Sequence, residues 1–193
     1  MRTSDRKKLI DIAQTAPETV MLAEDEATVY LHASTMAAWA PRGPSFTVRC
    51  DPGRAHANFD GPLSLTTGAE IVTRAETMHA AATTIHRQAI RDAYPTVDIL
   101  LLWDRAPWRR GLAIRALLAA NPRLTMIEFP TAAPDLNPQA HVWRATRRKV
   151  CHNHMKRRLP ELAERFERHL TTTTFSSSFL ERYGWNLVCL GFT

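Results

Sequence analysis

The stretch Pro134-Asp135-Leu136-Asn137-Pro138-Gln139-Ala140-His141-Val142-Trp143 decides how the rest of the chain is read. It has the chemistry of a helix start. The Asn137 side chain can accept a hydrogen bond from an orphan backbone N–H of the first turn. Pro138 suits the first helical position, where no N–H is needed. Val142, Trp143 and Val150 then share a face suited to a core, while Ala140, Arg144 and Arg147 share another. Two earlier segments, Leu22-Ala23-Glu24-Asp25-Glu26 and Leu101-Leu102-Trp103-Asp104-Arg105, each place an acid at the end of an apolar run.

Working outward, the order of elements is that of an α/β domain. Thr3 to Ala16 reads as a helix stopped by Pro17. Thr19–Ala23 and Thr28–His32 read as two strands, paired antiparallel, and Phe46–Cys50 as a third. Gly61–Ser64 and Ile71–Thr73 are shorter candidates. From Ala75 to Tyr94 the apolar period becomes helical. Val97–Trp103 is a continuous apolar run, expected of a strand covered on both faces. A helix over Arg109–Ala120, a strand over Leu124–Phe129, the helix from Asn137 and a helix from Pro160 follow. Glu161–Arg165 and Glu164–Arg168 are i, i+4 pairs on that last helix. Phe175–Tyr183 reads as a final short helix. Antiparallel strands, then alternating helix and strand, predict a mixed sheet flanked by helices.

The chain of 193 residues suffices for one domain with a sizeable core, and 45% hydrophobic with 23% charged residues is ordinary for a globular protein. No apolar run approaches the ~18 residues of a membrane span. The opening Met1 to Lys8 has no apolar segment after it, unlike a secretory signal. Cys50, Cys151 and Cys189 are few and widely spaced, which fits a reducing compartment rather than a disulfide framework.

Net charge is +6, and much of it falls in one place. Between His141 and Arg158 stand Arg144, Arg147, Arg148, Lys149, Lys156, Arg157 and Arg158, with no acid. Such a segment suits a polyanion, as well as a plainly solvated helix face. His141, His152 and His154 add charge at low pH.

Asp25 and Asp104, at the ends of neighbouring strands, would stand where open α/β sheets place ligands. Paired carboxylates hold hard cations such as Mg²⁺, which prefer oxygen. The flanking Glu24 and Glu26 are alternatives to Asp25; strand alternation puts them on the opposite face. Cys151-x-x-His154 has a metal-ligand spacing but no second pair nearby. Trp39, Trp108, Trp143 and Trp185 suit a core as well as stacking on bases.

Together these segments resemble the catalytic half of a bacterial insertion-sequence transposase, of the insertion-sequence 630, mariner-like branch of the DDE superfamily. Glu24-Asp25-Glu26 is similar to the first motif of that family, followed by Trp39-Ala40-Pro41-Arg42-Gly43. Trp103-Asp104-Arg105-Ala106-Pro107-Trp108 is similar to the second, with Arg105 and Arg109 where members often carry Asn and His. The third usually reads Pro-Asp/Glu-Leu-Asn-Pro-x-Glu-His-x-Trp, and here 35 residues lie between Asp104 and the third acid position. That position holds Ala140. Arg147 to His154 and the ending Phe175 to Thr193 also resemble the family.

The resemblance implies a ribonuclease H-like fold, metal-dependent DNA strand cleavage and strand transfer, and Mg²⁺ or Mn²⁺ in a two-metal site. Asp25 and Asp104 would be the catalytic acids and metal ligands, with the third ligand missing at Ala140 and Asp135 a conceivable substitute. Double-stranded DNA, both element ends and target, would be the partner, contacted by the seven basic residues. The family's N-terminal helix-turn-helix segment has no counterpart here, so a separate N-terminal transposase half and a homodimer are implied as partners, in a bacterial, nucleoid-associated, cytoplasmic setting without a membrane. The alternative is a catalytically dead DNA-binding remnant or regulator; a structure-specific nuclease of the same fold is a third class.

Overall fold

The structure is a computed structural model that describes residues 11–12, 15–39, 41–43, 47–75, 80–104, 112–129 and 137–175. Among the described residues are five strands: β1 (Val20–Tyr30), β2 (His56–Ser64), β3 (Thr73–Ala75), β4 (Ile99–Trp103) and β5 (Leu124–Glu128). The helices are α1 (Ala80–Ala93), α2 (Leu112–Ala119), α3 (Pro138–Val150) and α4 (Leu159–Thr172). One mixed sheet has the order β3-β2-β1-β4-β5. β1 pairs antiparallel with β2 and parallel with β4, and β5 extends the sheet parallel to β4.

Each face of the sheet carries its own core. Met21, Ala23, Ala27 and Val29 of β1 meet Leu100 and Leu102 of β4, Val142, Trp143 and Val150 of α3, and Leu162, Phe166 and Leu170 of α4. Leu22, Ile99 and Leu101 point the other way, to Ile90 of α1 and Leu117 and Leu118 of α2. Alternation explains the division: successive side chains of a strand face opposite sides. β4 is buried at every position because helices cover it on both sides. On the α3–α4 side Phe59 lies against Phe166, centroids 5.0 Å apart, and Trp143 stacks on Phe166 at 6.2 Å.

The first strands differ from the sequence reading. Thr19–Ala23 and Thr28–His32 are not an antiparallel pair but parts of one strand of 11 residues, with Glu24-Asp25-Glu26 in its middle. The acids look like a strand end because they interrupt the apolar run. In the fold, β4 pairs only with the first half of β1, whereas β2 pairs as far as Tyr30. Residues 47–50 form no strand. The antiparallel partner is instead β2, which begins at His56, with Asn58 accepting from Thr28 Oγ1 at 2.9 Å. Asn and Asp are poor strand formers, and tertiary pairing overrides that preference here. On α4, Glu161 reaches back to Arg158 at 2.7 Å and Lys156 at 3.9 Å rather than forward to Arg165. The expected first helix is represented by residues 11, 12 and 15, and the expected Phe175–Tyr183 helix lies outside the described residues except Phe175.

Candidate active site

Asp25 lies on the α3–α4 side of the sheet, between Ala23 and Ala27, both of which join the core there. The parallel register pairs Ala23 with Leu102. Continued by two residues, it brings Asp25 level with Asp104, just past the end of β4. Leu102 belongs to the same core, so if the alternation of β4 continues one residue past its end, Asp104 falls on the same side as Asp25. Both residues are half-buried. Asp25 is therefore mid-strand in β1, yet it stands where parallel pairing with β4 ends. That is the crevice geometry expected of a ligand site in an open sheet.

The start of α3 is fastened beside them. Asn137 is the cap, and its Oδ1 accepts from the Gln139 N–H at 3.0 Å. Its Nδ2 donates to the Glu24 carbonyl oxygen, also at 3.0 Å. One side chain thus caps the helix and ties it to the residue before Asp25. Ala140 follows as the third residue of the helix, half-buried, its N–H donating to the Asn137 carbonyl. A methyl group at this position binds no cation and carries no proton. Asp135, Arg105 and Arg109 lie outside the described residues.

α3 can approach the sheet because Gly61 stands opposite Asp25 in the β1–β2 register. A Cβ at Gly61 would come within 2.7 Å of Trp143 Cη2 and 3.2 Å of both Gln139 Nε2 and Glu70 Oε2. The Gln139 amide, fully buried, donates to Glu70 Oε2 at 3.1 Å. Burial pushes the Glu70 carboxyl up to about 8, against the smaller opposing effect of the Gln139 hydrogen bond. Neither Gly61 nor Glu70 was singled out from the sequence. The only signal for Gly61 is a glycine inside a strand, which marks a close backbone approach.

The other side of the sheet is also charged. Glu24, Asp60, His86 and Arg87 are fully buried. The Arg87 guanidinium carbon lies 4.2 Å from the centroid of the Trp103 ring, and His86 Nδ1 is 2.8 Å from Thr73 Oγ1. Alternation assigns Glu24 to this inner layer and away from Asp25, so the flanking acid has a different environment.

Of the seven basic residues, Arg144, Arg148, Lys149 and Arg157 are exposed, as is Arg158, and Arg147 and Lys156 are half-buried. Arg147 Nη2 donates to the Thr28 carbonyl at 3.3 Å. Arg158 and Lys156 share Glu161, so the acid-free run in sequence is partly neutralised in space. Arg144, Arg148 and Lys149 leave a cationic strip on α3 leading away from Ala140. Trp143 is core and Trp39 is fully exposed; Trp108 and Trp185 lie outside the described residues. Cys151 is buried, which pushes its thiol up to about 11, and His154 Nδ1 accepts from the Lys156 N–H at 3.1 Å. Among the described residues no three His, Cys, Asp or Glu side chains stand together as a metal site.

Among the described residues, the mixed five-stranded sheet flanked by helices is a ribonuclease H-like fold. The chain superposes on the crystal structure of the catalytic domain of Mos1 mariner transposase with a TM-score of 0.60 at 11% identity, covering 99% of this chain and 91% of that one. Mos1 transposase in a paired-end complex with the left transposon end gives 0.64 at 13% identity, and in the Mos1 strand transfer complex 0.65 at 14%. These cover 98% and 96% of this chain, which spans only 62% and 59% of the two transposase chains. Residues 20–163 match the family described as DDE superfamily endonuclease, and the chain belongs to that family. No curated protein matches it in sequence. Among the described residues no helix is long and apolar enough to cross a membrane.

Proposed function

We propose that this chain is the catalytic half of a mariner-like DNA transposase whose third acid position has been lost. What supports the reading is the parallel β1–β4 register, which runs up to the two acids, and the Asn137 bond that ties the start of α3 to Glu24. The family membership of residues 20–163 supplies the reaction class. Solved Mos1 paired-end complexes are described with Mg and with Mn. The donor set here fits such an ion in kind, since Asp25 and Asp104 offer hard oxygen ligands. It does not fit a two-metal site in number, because Ala140 adds no oxygen. A bound divalent ion would supply charge stabilisation for phosphoryl transfer. This chain's own residues would hold it through Asp25 and Asp104, keep α3 in place through Asn137, and attract the DNA backbone through Arg144, Arg147, Arg148, Lys149, Lys156, Arg157 and Arg158. Duplex element ends and target DNA are the proposed substrates. A homodimer and a separate end-recognising half are the proposed partners, on the bacterial nucleoid in the cytoplasm.

Ala140 favours a second reading, a DNA-binding remnant that competes with active transposase. Mn²⁺-dependent nicking of a pre-nicked duplex separates the two. The unmodified chain is expected to be inactive or nearly so; Ala140→Glu is expected to gain cleavage that Asp104→Asn abolishes. Failure of Ala140→Glu to cleave, with DNA still bound, would leave the remnant reading. Asp104-dependent cleavage by the unmodified chain would assign a substitute ligand, with Asp135 the first to replace.

A further inference from the structure

The Glu70–Gln139 pair is unexplained by the reading above. Glu70 lies beyond the turn after β2, bridged to Leu63, and reaches over Gly61 toward α3. Gln139 is the second residue of α3, next to Ala140, and is fully buried. One hydrogen bond joins them, Gln139 Nε2 to Glu70 Oε2. The remaining oxygens, Glu70 Oε1 and Gln139 Oε1, are both buried and have no hydrogen-bond partner among the described residues. Two buried acceptors on side chains already joined are costly when left without a donor. A single proton on Glu70 would satisfy both, since a carboxylic acid can donate O–H to the amide oxygen while accepting the amide N–H.

We propose that Glu70 is a positioning residue: as a neutral acid paired with Gln139 across Gly61, it clamps the first turn of α3 over the Asp25–Asp104 crevice. The surroundings suit an uncharged group. On this side of the sheet β1 presents the acid Asp25 opposite Gly61, and α3 presents buried His141 two residues after Gln139. The Asp60 carboxylate of β2 belongs to the opposite side, and the sheet-facing residues of α4 are Leu162, Ala163, Phe166 and Leu170. Burial and the Gln139 hydrogen bond are what act on its carboxyl, and burial, the larger, favours the neutral form. When Glu70 ionises, its oxygens and the amide oxygen become mutually repulsive acceptors, and the turn that carries residue 140 loosens.

Carbon-detected NMR of the carboxyl groups of the intact chain reads the proton directly; Glu70 is expected to titrate near pH 8. Amide hydrogen exchange of Ala140 to Trp143, corrected for intrinsic base catalysis, should lose about tenfold protection between about pH 7 and 9. Glu70→Gln keeps a neutral partner for Gln139, so its protection should stay high and flat with pH. Glu70→Ala should be poorly protected throughout. A Glu70 midpoint below about pH 6, or pH-independent protection in the unmodified chain, would overturn the neutral clamp even if Glu70→Ala fails to fold. The link to the crevice rests on the metal reading above and is tested apart from it. Mn²⁺ affinity followed by electron paramagnetic resonance should fall about tenfold in Glu70→Ala and be unchanged in Glu70→Gln. Equal Mn²⁺ affinity in all three proteins would overturn the positioning role. No Mn²⁺ binding by the unmodified chain would overturn the metal reading and leave the exchange result standing.

Discussion

Asn137 Nδ2 donates to the Glu24 carbonyl oxygen at 3.0 Å while its Oδ1 caps the helix that carries residue 140. The two ends of one amide therefore join the middle of β1 to the start of α3, across more than a hundred residues of sequence. Both bonds are buried, so neither group has water as a substitute partner.

Substitution at Asn137 can separate the two bonds. Asn137→Ala loses both and is expected to cost about 2–4 kcal/mol, combining a lost cap with an unpaired buried carbonyl. Asn137→Asp keeps a capping oxygen but sets a second oxygen against the Glu24 carbonyl. It should cost nearly as much as Ala if the tie to β1 is the larger contribution, and close to nothing if the cap is. Urea unfolding of the three proteins gives the comparison.

Gly61 makes room for the same helix. Gly61→Ala places a methyl 2.7 Å from Trp143 Cη2 and should destabilise by about 1–3 kcal/mol. In a Trp143→Phe background that contact atom is gone, so the same substitution should cost much less. A double-mutant cycle without coupling of at least about 1 kcal/mol would show that α3 is not held as close as the structure places it.

These two contacts show why the sequence disclosed some of the site and withheld the rest. Asn137-Pro138 is a local signal, because capping and the proline position depend on neighbours in sequence. β4 was equally plain, since burial on both faces leaves a continuous apolar run. β1 was read as two strands because the three acids that break its apolar pattern sit in mid-strand, where β4 stops and the crevice opens. β2 was missed from His56 to Asp60 because Asn58 and Asp60 gain their places from cross-strand partners. Glu70 could not be found in sequence at all: its relation to Gln139 is tertiary, and it exists because Gly61 has no side chain. The family resemblance supplied the choice of Asp25 over its neighbours, for which alternation gives the physical counterpart in the opposite-facing Glu24.

DNA binding should be carried by the exposed strip on α3. Arg147 donates to the Thr28 carbonyl and contributes to packing, so Arg144, Arg148 and Lys149 make the cleaner test. Replacing those three with Ala should weaken duplex binding on all sequences about equally and reduce the slope of log affinity against log salt by up to about 3. Arg158→Ala should change it less, since Glu161 already engages that side chain. An unchanged salt slope in the triple variant would assign the strip to solvent.

His154 should lower stability as pH drops below neutrality, opposing Glu70, whose raised carboxyl adds stability over the same range. Burial, then the positive charges of Arg165, His32 and Lys156, hold its imidazole below the usual histidine range. His169 is lowered by burial and by Lys149 and Arg165. A lowered histidine binds its proton more readily in the unfolded chain. Its contribution is therefore present above the unfolded value near 6.5 and is lost as pH falls through the folded value. His154 Nδ1 accepts the Lys156 N–H, which a protonated ring cannot do. Relative to the unmodified chain, His154→Asn should gain stability as pH falls from about 7 to 5; a difference between the two that does not change with pH would show that His154 is not the cause.

Restoring the third acid should expose the balance of charge in the crevice. Residue 140 is the third position of α3, where an acid gains from the helix dipole and can reach back to the Asn137 N–H, together about 0.5–1.5 kcal/mol. Against this stands repulsion from Asp25 and Asp104. Two like charges about 6 Å apart repel by nearly 3 kcal/mol at an effective dielectric of about 20, and two such neighbours outweigh the capping gain. Without metal, Ala140→Glu should therefore be less stable than the unmodified chain, and less so at high salt. With Mn²⁺ the order should reverse, because the ion turns the same repulsion into ligation. The unmodified chain should gain little from Mn²⁺, whereas Ala140→Glu should gain about 2.7 kcal/mol at a hundredfold excess over its dissociation constant. Thermal unfolding of both chains with and without Mn²⁺ reads this directly. If Ala140→Glu is more stable than the unmodified chain without metal and Mn²⁺ shifts neither, residue 140 does not face the two aspartates, and the proposed site is wrong.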